Sequence, residues 1–445
     1  MFTHLKKTVL SLILICCVCT VCGQRADSLK ADLQLLHEKL IAIHPDPYAF
    51  VTADRMNSLL DSCYRHIHED TDDRQFYSMV KVLCSAVRDG HLSTGAAPSF
   101  NQFVHKENSY LPLLTYVTAD SIFITASVNN TIPAGSLLIS VNSHPASVMR
   151  EMMHNYLMAD GYSNTKKDIV LNEIFYFYYY LTYGYSGGFT VVYKDKSGQV
   201  KSTALSAVPE HAIKALKIAS PQKPLLSFSV TENKTGILTI RTFDLNDLQE
   251  ANLDYNKFIA QTFRQLKQAG VKKLIIDLRG NGGGRDEYGV TLYRYLTKEK
   301  FTYYRYQEKD KKKLSGRPGL GVQQPAALHY DGPVAILTDG GTFSAAAEFC
   351  SVAYSHTRAV FFGSETGGRY EGNNSGQMIQ VTLPYSKVDL WIPTTKYVMD
   401  VRSAQQEGRG IIPGHPVLIS VDAYLQQEDV IMEEALQWSA SDTAF

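Results

Sequence analysis

Two glycine-rich stretches hold the residues best suited to chemistry. The first reads Asp277-Leu278-Arg279-Gly280-Asn281-Gly282-Gly283-Gly284 and follows the apolar run VKKLIID. Glycines at that density let a backbone close on a ligand and turn N–H groups into a cavity. Such donors can cradle a phosphate, hold an oxyanion, or simply line a tight strand-to-helix turn. The phosphate reading fails on spacing. Gly280 and Gly282 open a G-x-G-x-x-G pattern whose last position is Arg285, and no Gly-Lys-Ser/Thr follows. An oxyanion hole and a plain turn both stay open.

The second stretch runs from Thr338 through Asp339, Gly340, Gly341, Thr342 and Phe343 to Ser344, then Ala345-Ala346-Ala347-Glu348. A buried strand, PVAILTD, turns at the glycine pair and passes into a helix that begins at Ser344. A hydroxyl placed there meets the positive end of the helix dipole, which favours a developing oxyanion. The N–H of Ala345 has no partner inside the helix and is free to donate. This is the logic of a nucleophile elbow, although the sequence is not G-x-S-x-G. A helix cap supplied by Ser344 or Thr342 accounts for the same residues.

The surrounding elements determine what positions these loops. From about Leu225 the chain alternates strand and helix: GILTIRTF, then a helix ending on Gly270, then VKKLIIDLRG, EYGVTLYRYLTKE, PVAILTD, FSAAAEFCSVAYSH and AVFFGSE. That alternation predicts crossover connections and a mainly parallel sheet with its loops at the C-terminal edge. Upstream, Leu29, Leu33, Leu36 and Leu40 recur at helical steps until His44-Pro45, and two more helices are expected near 55–66 and 74–87. Between about 111 and 208, YVTADSIFITAS alternates like strands. A long aromatic-rich helix, KKDIVLNEIFYFYYYLTYGY, and the hairpin FTVVYKD-KSG-QVKSTAL follow. Aromatics from Phe175 to Tyr185 at helical spacing predict core rather than a binding platform.

With 445 residues, two or three domains are expected. Lys plus Arg equals Asp plus Glu at 44 each, so no basic excess points to nucleic acid. Lys6 and Lys7 precede an apolar run from Val9 to Val21, closing on Cys22-Gly23, which reads as an export signal cleaved after Gly23. No later stretch is long and apolar enough to cross a bilayer. Lipid attachment at Cys22 is disfavoured because bulky Val21 sits where a small residue is wanted. Cys16, Cys17, Cys19 and Cys22 leave with the signal; Cys63, Cys84 and Cys350 remain as buried small hydrophobes. His66 and His68 at i, i+2 do not converge on one helix face, so no metal is expected there.

The order of these features resembles the C-terminal processing and tail-specific serine proteases, a family that includes tricorn protease and the interphotoreceptor retinoid-binding proteins. DLRGNGGG comes first, then the strand, turn and S-A-A-A-E helix, then GSETGG at 363–368. The resemblance implies an α/β, crotonase-like protease core over 211–445, an N-terminal helical cap over 24–100 and a PDZ-like α+β middle domain over 101–210, after a signal at 1–23. The PDZ likeness rests on Gly135, Leu138, Val141 and Asn142 before a short helix.

The family divides by its general base. One branch uses a lysine in the loop written here GSETGGRYEG, where this chain has Arg369. Arginine stays protonated and cannot take the serine's proton. The tricorn-like branch uses a D-G-H segment, which Asp89-Gly90-His91 resembles, and an E-x-x-G-V-x-P segment, which Glu407-Gly408-Arg409-Gly410-Ile411-Ile412-Pro413 resembles. By that resemblance Ser344 attacks the carbonyl, His91 takes and returns the proton, and Glu407 orients the imidazole. Gly282, Gly283 and Ala345 supply the oxyanion hole; Gly367, Gly368 and Arg369 meet the substrate. Tricorn has a serine before its histidine; here that position is Gly90, and Ser93 is the nearby hydroxyl.

The expected activity is therefore serine endopeptidase or carboxyl-terminal processing of peptides and unfolded tails outside the cytoplasm, periplasmic or secreted, with no cofactor. A non-catalytic protein binding a peptide or an apolar ligand on the same scaffold is the alternative. An acyl-CoA enzyme on the related crotonase fold is disfavoured by export and by the helical cap.

Overall fold

Leucines spaced three and four apart give the first helix one apolar face. In the computed structural model, which describes residues 24–106, 109–217, 223–403 and 407–439, α1 (Gln24–Ile43) buries Leu29, Leu33, Leu36 and Leu40 on that face. The expected signal at 1–23, with its four cysteines, lies outside the described residues. Helix α2 (Ala53–Arg65) starts on a Thr52 cap, and α3 (Asp73–Ala86) on a capping box between Asp72 and Gln75. The chain then turns through Arg88, at φ 57°, and Asp89-Gly90-His91 into a short strand, β1 (Ser93–Gly95).

After α4 (Pro98–Lys106) come β2 (Leu113–Val117), β3 (Ile122–Ser127) and β4 (Ser136–Val141), then α5 (Ala146–His154) and α6 (Thr165–Tyr183). The hairpin β5 (Gly188–Lys194) and β6 (Val200–Ser206) completes an antiparallel sheet in the order β2-β3-β4-β5-β6. The aromatics of α6 are core, as expected: Phe175, Tyr176, Tyr178, Tyr179 and Tyr180 are all buried. One continuous cluster of buried side chains joins Leu29 of α1 to Val191 of β5, so the N-terminal helices and this sheet share a core.

The chain continues through β7 (Leu226–Val230), β8 (Thr235–Ile240), α7 (Tyr255–Ala269), β9 (Lys273–Asp277), α8 (Asp286–Arg294), β10 (Tyr304–Lys309) and β11 (Val334–Thr338), with helices between β8 and β9 and after β9. Then follow α9 (Ala345–His356), β12 (Val360–Gly363), β13 (Gly372–Thr382), β14 (Asp389–Met399), β15 (His415–Pro416) and α10 (Val430–Gln437). The fold class is α/β. The core sheet has the order β15-β12-β11-β9-β8-β7 and is parallel apart from β7. Asp277 pairs with Leu337 and Thr338 with Gly363, so β9, β11 and β12 end level at one edge. Their loops leave that edge side by side, where parallel sheets place binding sites.

A separate sheet ties the two halves of the chain together. β1 pairs antiparallel with β14, Ser93 opposite Trp391, and β14 is flanked by β10 and β13. The segment that carries His91 is thereby stitched to the C-terminal half. Cys63, Cys84 and Cys350 are buried and free. No described helix is long and apolar enough to cross a membrane.

Candidate active site

Ser344 stands at the start of α9 with φ 51° and ψ −131°, a conformation that L-residues avoid. Strain of this kind persists only where the surroundings over-determine it. Its side chain makes no capping bond to the helix. Instead Oγ lies 3.0 Å from Nε2 of His91. The capping explanation, open from the sequence, does not describe this serine.

The elbow is braced from both neighbouring loops. Asp339 Oδ1 accepts the N–H groups of Gly280 and Gly341 at 2.9 Å and of Thr342 at 3.1 Å. The Thr342 hydroxyl donates to the Leu278 carbonyl at 3.0 Å, and the Phe343 N–H donates to the Asn281 carbonyl at 3.0 Å. The glycine loop after β9 and the serine turn after β11 thus form one rigid unit.

The oxyanion donors expected from the sequence divide. The Ala345 N–H, first in the helix, has no partner among the described residues, and neither does that of Gly282, which is exposed. The Gly283 N–H is committed to the buried Asn281 Oδ1 at 2.9 Å, so Gly283 is not a free donor. Its contribution is space. With φ 95°, a β-carbon added there would stand 2.6 Å from Ser344 Cβ and 2.9 Å from the Ala345 nitrogen.

His91 is held through its backbone and its ring face. Asp89 Oδ1 accepts the N–H groups of His91 at 2.7 Å and Leu92 at 3.2 Å, while Oδ2 takes His44 Nε2 and Asn374 Nδ2, both at 2.9 Å. The ring packs on Phe343 with centroids 4.5 Å apart. Burial holds the imidazole below its ordinary pKa of 6.5, with Asp160 and Asp89 opposing and Lys166 and Arg369 adding to the decrease. At neutral pH the ring is therefore uncharged, as a general base must be.

Glu407 does not orient this ring. Its side chain is exposed, and the buried Nδ1 of His91 has no hydrogen-bond partner among the described residues. The reason is an interposed segment. Gly161 N–H donates to the Arg88 carbonyl and Tyr162 N–H to the Gly408 carbonyl, both at 2.8 Å, so residues 160–162 fill the space between the two motifs. The Glu407 segment is fastened elsewhere. Glu365 accepts Arg409 Nε at 2.8 Å and Gly410 N–H at 2.9 Å, and Glu371 accepts Gly408 N–H at 3.1 Å. Ser93 is exposed on β1 and does not link to the histidine either.

Gly367 and Gly368, expected at the substrate, spend their N–H groups on the Thr342 carbonyl, at 2.9 and 3.3 Å. They back the elbow rather than offering donors. Gly368 is also in close contact, since a β-carbon there would come within 2.5 Å of Ala347 Cβ. Arg369 is half-buried, its guanidinium 4.9 Å over the Phe50 ring, and its Nε has no partner among the described residues.

Two residues that the sequence reading passed over stand in this site. Asp160 is wholly buried, with Oδ1 accepting the Gly90 N–H at 2.7 Å. Lys166, near the start of α6, donates to the Gly90 carbonyl at 3.2 Å and covers the face of Phe343. Burial lowers the Lys166 pKa to about 8. Atoms of Asp89, His91 and Asp160 suited to a metal lie within 4.8 Å of one another. Both Asp89 oxygens are already hydrogen-bonded and Lys166 adds a cation beside the set, so the residues fit an imidazole support better than a metal centre.

A strained serine bonded to a neutral histidine, on loops at the C-terminal edge of an α/β sheet, defines a serine peptidase. Comparison with known proteins places it further. Residues 234–415, the stretch that carries both glycine-rich loops and Ser344, match the model of peptidase family S41. Mature CPAF complexed with lactacystin is similar over 92% of this chain and 97% of its own, at 13% identity and a TM-score of 0.64. A putative peptidase from Parabacteroides merdae is similar over 94% and 99%, at 15% identity and a TM-score of 0.50. At such identities the likeness is one of fold. No curated protein matches the chain by sequence.

Proposed function

We propose that this peptidase is an exported endopeptidase or C-terminal processing enzyme that cuts peptides or unfolded protein tails through an acyl-enzyme on Ser344. The observation that carries the reading is the 3.0 Å contact between Ser344 Oγ and His91 Nε2. Oγ attacks the scissile carbonyl carbon while its proton passes to Nε2. The carbonyl oxygen, now an anion, is met by the N–H groups of Ala345 and Gly282. As the intermediate collapses, His91 returns the proton to the leaving amine, and water then releases the acyl group by the reverse roles.

Export is supported by the basic, apolar and small-residue pattern of the first 23 residues. The middle sheet, with its PDZ-like signature, is suited to holding a chain end by strand addition. A protein that merely bound ligands on this scaffold would have no need of a strained serine beside a free helix N–H.

The test is labelling of the full chain with a fluorophosphonate probe, alongside cleavage of an unfolded protein. Wild-type protein should take the probe and Ser344→Ala should take none, with thermal stability nearly unchanged. Labelling that survives Ser344→Ala, or a folded wild type that neither labels nor cleaves, would overturn the reading.

A further inference from the structure

We propose that Asp160, rather than Glu407, is the positioning carboxylate that supports His91 during proton transfer; the inference rests on the Ser344–His91 reading above. Asp160 is fully buried, and its Oδ2 has no hydrogen-bond partner among the described residues. The buried Nδ1 of His91 has none either. Unpaired polar atoms of this kind are rare in protein interiors, and each calls for an explanation. Asp160 also lies inside the 4.8 Å cluster of Asp89 and His91.

The other acid in that cluster is already committed. Asp89 has both oxygens bonded, to two backbone N–H groups, His44 and Asn374. Asp160 has a single bond, on Oδ1, and its free oxygen sits in a low-dielectric site where a carboxylate acts strongly on a neighbouring imidazolium. Of the groups facing His91, Asp160 and Asp89 favour its protonated form, while Lys166 and Arg369 oppose it.

Gly90 gives an independent reason for the arrangement. A β-carbon at position 90 would stand 2.8 Å from the Phe343 ring and 3.0 Å from Asp160 Oδ1. Asp160 thus occupies the place that a side chain preceding His91 would take. The carboxylate arrives from the loop before α6, and the residue beside the histidine must be glycine to admit it.

The experiment measures fluorophosphonate labelling rates of the full chain against pH for wild type, Asp160→Asn and Glu407→Gln. Asparagine keeps an oxygen for the Gly90 N–H but removes the charge. The Asp160→Asn rate should fall by about 100-fold or more, the scale of general-base support, and its acid-side midpoint should move to lower pH. Glu407→Gln, at an exposed position, should label within about twofold of wild type with an unmoved midpoint. Asp160→Asn labelling at the wild-type rate with an unmoved midpoint would show a purely structural role and overturn the proposal. So would a loss and a midpoint shift in Glu407→Gln, which decides the matter even if the asparagine variant does not fold. Loss of labelling in Ser344→Ala alone would leave the serine-peptidase reading standing and this inference refuted.

Discussion

Nε2 of His91 meets Oγ of Ser344 at 3.0 Å although 253 residues separate them. Nothing local brings them together. β1, two residues after His91, is hydrogen-bonded to β14, while Ser344 is fixed by the loops after β9 and β12. The site is therefore assembled only when the N-terminal helices and the α/β core are docked, and any change that loosens β1 from β14 should cost activity before it costs the core.

A base must be neutral to act, and burial lowers the His91 pKa below 6.5. A lowered pKa means the neutral ring persists into more acidic solution. Fluorophosphonate labelling should therefore rise to its plateau with a midpoint below 6.5. A midpoint above the ordinary histidine value would contradict the buried environment seen here.

Two cations push in the same direction, and their removal should show the opposite sign. Lys166 and Arg369 both disfavour the imidazolium form of His91. Arg369→Gln and Lys166→Met should each raise the labelling midpoint, so that the rate at mildly acid pH falls. Neither should abolish labelling at alkaline pH, because arginine cannot serve as the base and Lys166 is turned to the Gly90 carbonyl and Phe343. A midpoint that moves down in either variant would show that the charge does not reach the ring.

How much of this was legible in the sequence depends on the range of the interactions. The glycine loop, the serine turn and GSETGG are local patterns, and parallel pairing of β9, β11 and β12 brings them together. The apolar spacing of α1 and the buried run of α6 were likewise local. Asp160 was not legible. It lies in a loop with no periodicity, and its meaning comes from Gly90, seventy residues upstream. Glu407 was misread because a motif specifies a segment but not what is inserted beside it; residues 160–162 fill that gap. The hairpin β13–β14 was not legible either, because its strands mix buried and exposed positions without a clean alternation.

Gly283 supplies a test of the elbow by space alone. Its N–H is used by Asn281, but a methyl group there would press on Ser344 Cβ and on the Ala345 nitrogen, and φ 95° is costly for alanine. Gly283→Ala should lower labelling by about 100-fold or more and destabilise the fold, with the strained φ and the steric overlap each costing about 1–3 kcal/mol. Equal labelling, with the same melting behaviour, would place the loop away from the reacting oxygen.

Asp339 holds the two loops together. Asp339 Oδ1 gathers three backbone N–H groups, from Gly280 on one loop and Gly341 and Thr342 on the other. Asp339→Ala leaves those donors without their acceptor, and even one unsatisfied donor costs about 1–3 kcal/mol. Gly280 is exposed and Thr342 buried, so a loss of about 1–3 kcal/mol in chemical denaturation is expected, with labelling of Ser344 falling alongside. Asp339→Asn keeps an acceptor oxygen and should be milder on both measures. If Asp339→Ala lost stability but labelled at the wild-type rate, the strained geometry of Ser344 would have to be maintained by the Thr342 and Gly368 contacts alone.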